Sequence, residues 1–351
     1  SAAKQFAHLK SAVGTPISLS RADYWMGRAL EAGGDMGGAE AAYTRAAKHQ
    51  TAYYGLLAAE RLGLSLDTSL INAGEPDAGW KTASFANSSV LAAARALLSA
   101  GDLTLAKRFF LQVGERLNDK EMSDLGDLAL RLGEPHIAVL VGKAAAERGL
   151  ILPRVYFPVP DFVPDGLPIS RALALAISRR ESEFDPKAQS HAGARGLMQL
   201  LPATAEMVAK RAGEDFSTAR LTSDPAFNVR MGSAFLATLI KEHGPSIALI
   251  AAGYNAGPGR PRQWIERFGD PRDPSVDVVD WVETIPFSET RTYVMRVSEG
   301  VVIYRGRLGG VARPVRITSE LTGRSPARRD VRSRAAARER PGHPSPRSLR
   351  R

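Results

Sequence analysis

The sequence contains no cysteine, which excludes disulfides and thiolate metal sites and leaves the redox compartment open. Long apolar runs are missing as well. None approaches the roughly 18 residues needed to cross a bilayer, so no transmembrane segment is expected. A basic stretch followed by an apolar signal core is lacking, and the chain starts at Ser1 rather than Met. The expectation is therefore a mature or truncated form from which any export signal is missing. The six histidines show no paired ligand spacing and no Walker sequence occurs. The run Gly33-Gly34-Asp35-Met36-Gly37-Gly38 lies between helical stretches rather than after a strand. No metal and no cofactor are expected. Strand signals are scarce, which makes the fold class mainly α.

Positive charge is in excess, +10 over 351 residues, but it is unevenly placed. From Arg324 to Arg351 ten arginines stand against Asp330 and Glu339, so the rest of the chain is nearly neutral. A tail of Arg, Pro and Ser over 324–351, without apolar periodicity, is expected to be disordered. It reads first as a solvated extension, with weak attraction to anionic polymers or lipid head groups as the rival reading, and no specific nucleic acid is expected as a partner. The 44% hydrophobic content is enough for two or three domains with proper cores.

Residues 1–150 read as helices punctuated by glycine followed by an acidic residue, at Gly34-Asp35, Gly101-Asp102 and Gly133-Glu134. The spacing fits a period near 33 to 34 residues, which stacked helix-turn-helix repeats produce. Between 151 and 168 five prolines, Pro153, Pro158, Pro160, Pro164 and Pro168, are expected to interrupt any helix and form a linker. Beyond it, Ser170 is a plausible N-cap and Asp185-Pro186 a plausible end for a helix carrying Glu181. Further helices are expected over 202–211, 227–243, 246–253 and 290–306, with Tyr254 and Asn255 following the third.

Three segments carry chemistry. The first runs from Ala174-Leu175-Ala176-Ile177 through Arg179-Arg180-Glu181-Ser182 to Gly193-Ala194-Arg195-Gly196-Leu197-Met198-Gln199-Leu200-Leu201. It puts one carboxylate at the end of an apolar helix, ahead of a glycine-bounded loop. A carboxyl group against apolar side chains loses solvation of its charged form and holds a proton near neutral pH, as a glycosidic leaving group requires. The second is Ala251-Ala252-Gly253-Tyr254-Asn255-Ala256-Gly257-Pro258-Gly259, where the turn can aim a phenol at a sugar. The third is Glu283-Thr284-Ile285-Pro286-Phe287-Ser288-Glu289-Thr290-Arg291-Thr292-Tyr293-Val294, where Arg291 is a candidate partner for Glu289.

In this order and at these separations the three segments resemble the soluble lytic murein transglycosylase family, whose catalytic domain is related to goose-type lysozyme. Tyr53-Tyr54-Gly55-Leu56-Leu57-Ala58-Ala59-Glu60-Arg61-Leu62-Gly63 more loosely resembles part of the superhelical domain that precedes it. The resemblance implies a helical-repeat superhelical domain over 1–150, a linker over 151–168 and a lysozyme-like α catalytic domain over 169–310, which is expected to fold alone. It implies Glu181 as the catalytic acid and Ser190, Met198, Gln199, Leu201, Tyr254, Asn255 and Glu289 as glycan contacts, although for Met198, as for Leu200, core packing is the leading reading. Leu201 stands where many relatives carry Met and should keep the pocket dry. The implied activity cleaves the β-1,4 bond between N-acetylmuramic acid and N-acetylglucosamine in peptidoglycan glycan strands, forming 1,6-anhydromuramic acid in the periplasm, with the cell wall or outer membrane as a further association. The rival readings are a hydrolytic muramidase of goose-type chemistry and a non-catalytic glycan-binding scaffold.

Overall fold

The computed structural model describes residues 2–71 and 74–324. The basic tail over 325–351 lies outside the described residues. Among those described there are α-helices, one 3-10 turn at Gly79–Lys81 and no strand, pairing being limited to isolated bridges. No helix among them is long and apolar enough to cross a membrane.

The first nine helices are α1 (Ala2–Ser11), α2 (Pro16–Ala32), α3 (Met36–Ala46), α4 (Tyr53–Arg61), α5 (Thr68–Ile71), α6 (Ser89–Ser99), α7 (Leu103–Gly114), α8 (Asp119–Arg131) and α9 (Pro135–Glu147). The glycine-acid punctuation joins the packed pairs α2 with α3, α6 with α7 and α8 with α9. Its physical basis is visible in each turn. Gly34, Gly101 and Gly133 adopt left-handed backbone, at φ +83°, +77° and +75°, where a Cβ would be strained. The next residue then caps the following helix: the carboxylate of Asp35 accepts from the Gly38 N–H and that of Asp102 from the Leu105 N–H. Glu134 occupies the third cap position without a side-chain bond.

The proline-rich segment departs from expectation. Pro153 opens a one-turn helix, α10 (Pro153–Tyr156), because at the first helical position its missing N–H has no partner to lose. The segment is also packed. Val155, Phe157 and Val163 are fully buried, and Arg154 donates to both oxygens of the buried Asp127 carboxylate at 2.5 and 2.6 Å. Arg179 lies over the Phe157 ring at 4.3 Å and donates to the Tyr156 carbonyl.

The remaining helices are α11 (Arg171–Ser182), α12 (Pro202–Ala212), α13 (Arg220–Ser223), α14 (Pro225–His243), α15 (Ile247–Ala256), α16 (Arg260–Phe268), α17 (Val278–Thr284), α18 (Ser288–Gly309) and α19 (Ile317–Thr322). Ser170 caps α11 by accepting from the Leu173 N–H. Tyr254 and Asn255 fall within the last turn of α15 rather than after it. The long α18 is central, packed against α4, α5, α11, α15, α17 and α19. Its approach to α11 is close: a Cβ on Gly300 would stand 3.0 Å from the Ala176 Cβ.

Two cores result. Phe85, Leu91, Phe110, Met122, Leu125, Ile137 and Val155 join α6 to α10. A larger one runs from Tyr24, Tyr53, Leu56 and Leu57 at the start of the chain through α11 and α15 to Tyr293, Val301 and Tyr304. Polar links follow the same route. The Tyr53 N–H donates to the buried Glu299 at 2.9 Å, and Thr318 donates twice to Glu60. Residues 64–66 pair with 313–315 through two backbone bonds.

Candidate active site

Glu181 stands in the last turn of α11, partly exposed. Its Oε1 accepts a hydrogen bond from the Tyr293 hydroxyl at 2.5 Å. Tyr293 is buried on α18, two turns before Gly300, so the tight α11–α18 crossing brings phenol and carboxyl together. Burial pushes the Glu181 carboxyl up to about 7; the Tyr293 bond and the Arg180 charge oppose this, and Glu289 adds to it. The phenols of Tyr293 and Tyr254 are pushed far up by burial and then by the Glu181 charge, so both stay protonated as donors.

The backbone just after Glu181 is unusual. Glu183 and Phe184 both take left-handed conformations, at φ 53° and 65°, which bulky residues adopt at a cost of order 1 kcal/mol or more each. These two residues end α11 before Asp185-Pro186 is reached. Ser182 ties the same turn to the following loop, donating to the Leu197 carbonyl at 2.8 Å.

That loop is held from within. The Ser190 hydroxyl accepts from the Ala194 N–H at 3.1 Å, and Arg195 and Leu200 exchange backbone bonds. Gly196 has φ +76°, and a Cβ there would lie 2.0 Å from the Leu221 carbonyl oxygen. Gln199, itself left-handed at φ 46°, donates its amide to the carbonyls of Ala188 and Gly196 at 3.1 and 2.9 Å. Its side-chain oxygen remains as an acceptor. Asn228, fully buried on α14, accepts from the Met198 N–H and donates to the carbonyls of Arg195 and Leu221. Tyr254 donates to the Met198 carbonyl at 2.7 Å, with its ring against Phe235.

The structure thus gathers Glu181, Gln199 and Tyr254 around one loop and differs from expectation at other positions. Met198 is fully buried, its side chain filling the space left by Gly232, where a Cβ would meet the sulfur at 2.5 Å. It packs rather than faces a ligand. Leu201 is 46% exposed at the cap position of α12, so the inward apolar residue is its neighbour Leu200. Asn255 accepts from the Thr290 hydroxyl at 2.6 Å and holds the start of α18. Ser190 and Glu289 are exposed, the latter in the first turn of α18. Arg291 pairs with Glu283 at 3.9 Å and with the carbonyls of Glu283 and Ile285, not with Glu289. Sequence reasoning passed over Tyr293 and Asn228. Tyr293 lies inside the third motif segment, four residues after Glu289 on one helix face. A cavity of about 680 Å³ near Leu66, Val302, Arg305 and Arg316 lies at the other end of α18 and contains none of these residues.

The Transglycosylase SLT domain family matches residues 167–275. Over this segment the chain is similar to the SLT family. The match contains Glu181, the 190–201 loop and Tyr254, while Glu289 and Tyr293 lie beyond it. The soluble lytic murein transglycosylase of Salmonella typhimurium is 38% identical over 145 residues, 41% of this chain and 22% of that protein. The 70 kDa soluble lytic transglycosylase of Escherichia coli superposes with a TM-score of 0.69 at 27% identity, covering 83% of this chain and 46% of that one. An inactive mutant of the lytic transglycosylase Slt from Pseudomonas aeruginosa gives 0.68 at 29% identity, over 84% and 47%. The chain therefore spans less than half the length of these proteins. The likeness extends across the helical array as well as the SLT segment, a superhelical part followed by a lysozyme-like one.

Proposed function

We propose that the chain is a peptidoglycan lytic transglycosylase acting on the β-1,4 bond between N-acetylmuramic acid and N-acetylglucosamine. The observation that carries this reading is the Glu181 carboxyl, held by Tyr293 and pushed up to about 7 by burial. A group titrating there is protonated often enough to give a proton and ionised often enough to take one back. Glu181 first protonates the departing glycosidic oxygen. As the carboxylate it then removes the proton from the muramyl 6-hydroxyl, which closes on C1 to form the 1,6-anhydro ring. Tyr293 supports the second step, because its hydrogen bond favours the charged carboxylate. Tyr254 and Asn228 keep the 190–201 loop in place, and the Gln199 side-chain oxygen and the exposed Ser190 and Glu289 are assigned to glycan contact. Residues 169–310 form the catalytic part and 1–150 the helical array, which bears on it directly, α4 and α5 against α18, as well as through the packed 151–168 segment. The compartment is that of the substrate, the periplasm.

One observation favours a second reading, hydrolysis by water. Glu289 is near enough to Glu181 to raise its proton affinity, and a second carboxylate is what a hydrolase uses to position water. Digestion of sacculi in isotopically heavy water separates the two. The 6-hydroxyl is tethered beside C1 at high effective concentration and should outcompete solvent. We expect muropeptides one water lighter than hydrolytic products and free of solvent oxygen. Labelled reducing ends as the main product would overturn the transglycosylase reading in favour of a muramidase.

A further inference from the structure

The helical array reaches the catalytic turn through a buried histidine. His136, on α9, is 5% exposed; its Nδ1 lies 3.1 Å from the Glu183 carbonyl and its Nε2 lies 3.4 Å from the Lys107 ammonium on α7. The partners fix the tautomer. A carbonyl can only accept and an ammonium can only donate, so Nδ1 carries the proton and Nε2 receives one from Lys107. Burial holds the imidazole below its ordinary range and the Lys107 charge adds to this, while the bond to the Glu183 carbonyl and Asp185, 3.9 Å from Nε2, oppose it. Seven residues along the same helix, Lys143 pairs with the Glu183 side chain at 2.5 Å. Glu183 and Phe184 are the two left-handed residues that follow Glu181 and Ser182, and that conformation persists only where its surroundings hold it. Phe184 is held by burial against Phe162. Glu183 is held by α9.

We propose that His136 is a positioning residue: by donating Nδ1–H to the Glu183 carbonyl it fixes the left-handed turn that closes α11, and so sets how far the Glu181 carboxyl is withdrawn from water. The proposal rests on Glu181 being the acid. The exposed Lys143 pair contributes little by itself, since a solvated ion pair is worth about 0 to 1 kcal/mol. The buried histidine is different: without it the Glu183 carbonyl loses its donor inside the interface and the strained turn can relax. Relaxation admits water to Glu181. The groups facing that carboxyl, Tyr293, Tyr254, Arg180 and Glu289, are not on α9 and stay unchanged, so the consequence has one sign. The carboxyl then titrates nearer the ordinary carboxylate range.

The test uses the full chain and three variants. His136→Ala removes the donor, His136→Asn returns an N–H near the Nδ1 position, and His136→Gln puts its amide near Nε2 instead. The Glu181 carboxyl is titrated by carbon-13 NMR without substrate, and kcat and KM are measured on glycan strands. We expect His136→Ala to lower the Glu181 midpoint by about one pH unit and kcat by about tenfold, with KM within about twofold. His136→Asn should restore both and His136→Gln neither. If His136→Ala does not fold, the Asn and Gln variants alone decide. A wild-type midpoint in His136→Ala, or equal rescue by Asn and Gln, would show that the histidine only packs. Failure of the wild-type protein to cleave glycan would count against the activity and leave the titration comparison intact.

Discussion

Glu181 and Tyr293 act on one carboxyl in opposite senses: burial favours its neutral form, and the hydrogen bond from the phenol favours its anion. The sign of the burial effect has a consequence for folding. A carboxyl raised from 4.5 to about 7 favours the neutral folded form, so its contribution to stability is intact below about 4.5 and lost as pH rises through 7, a cost of about 3 kcal/mol above that point. Glu181→Gln removes the charge and keeps the shape. We expect turnover to fall by roughly 100- to 10,000-fold. The variant should also melt several degrees above the wild-type protein at pH 8 and level with it at pH 4, which calorimetry would check. Tyr293→Phe should raise the titration of Glu181 further. It deletes the bond that favours the carboxylate, so the basic limb of the rate profile moves up and kcat drops by about tenfold. A limb that moved down would show that water replaces the phenol. Glu181 was legible in the sequence because an acid at the end of an apolar helix is chemically odd. Tyr293 was not, because its meaning lies in the crossing of two helices 112 residues apart in the chain.

At the scale of elements, the turns decide where chemistry is placed. The Gly-acid turns of the array were readable, since left-handed glycine and a capping carboxylate each have a local residue signature. The end of α11 was not. Glu183, Phe184 and Gln199 adopt conformations that their residue types disfavour, held by packing and hydrogen bonds from distant segments. The prolines of 151–168 misled for a related reason: Pro153 sits at the one helical position where proline is favourable. Gly196 joins both effects, with a left-handed φ and a carbonyl where its Cβ would be. Gly196→Ala should therefore lose more than about 2 kcal/mol and loosen the loop that carries Gln199. Denaturant melts of this variant and the wild-type protein would give the difference; a loss under about 0.5 kcal/mol would mean that the loop shifts freely.

At the scale of the whole molecule, the question is whether the catalytic segment stands alone. Order along the chain suggests that it does, since all the motifs lie beyond the proline-rich stretch. The packing argues otherwise. α4 and α5 lie on α18, and Tyr53, Leu56 and Leu57 share a core with Tyr293, Val301 and Tyr304. A fragment of residues 168–310 would lose that cover and also Ile317 and Leu321 of α19, both fully buried. It would leave Glu299 without the Tyr53 N–H and with Arg296 alone to balance a buried charge. Each large apolar side chain uncovered costs about 1.5 to 3 kcal/mol, and a few of them equal the stability of an ordinary domain. The covering helices thus support the α11–α18 crossing that joins Glu181 to Tyr293, because they keep α18 buried. We expect the 168–310 fragment to show no cooperative melt and no turnover on short soluble glycans, while a chain of residues 1–324 keeps both. A fragment that melted cooperatively within a few degrees of the full chain, with an unchanged rate, would show that the N-terminal helices and α19 are accessories to a self-sufficient catalytic domain.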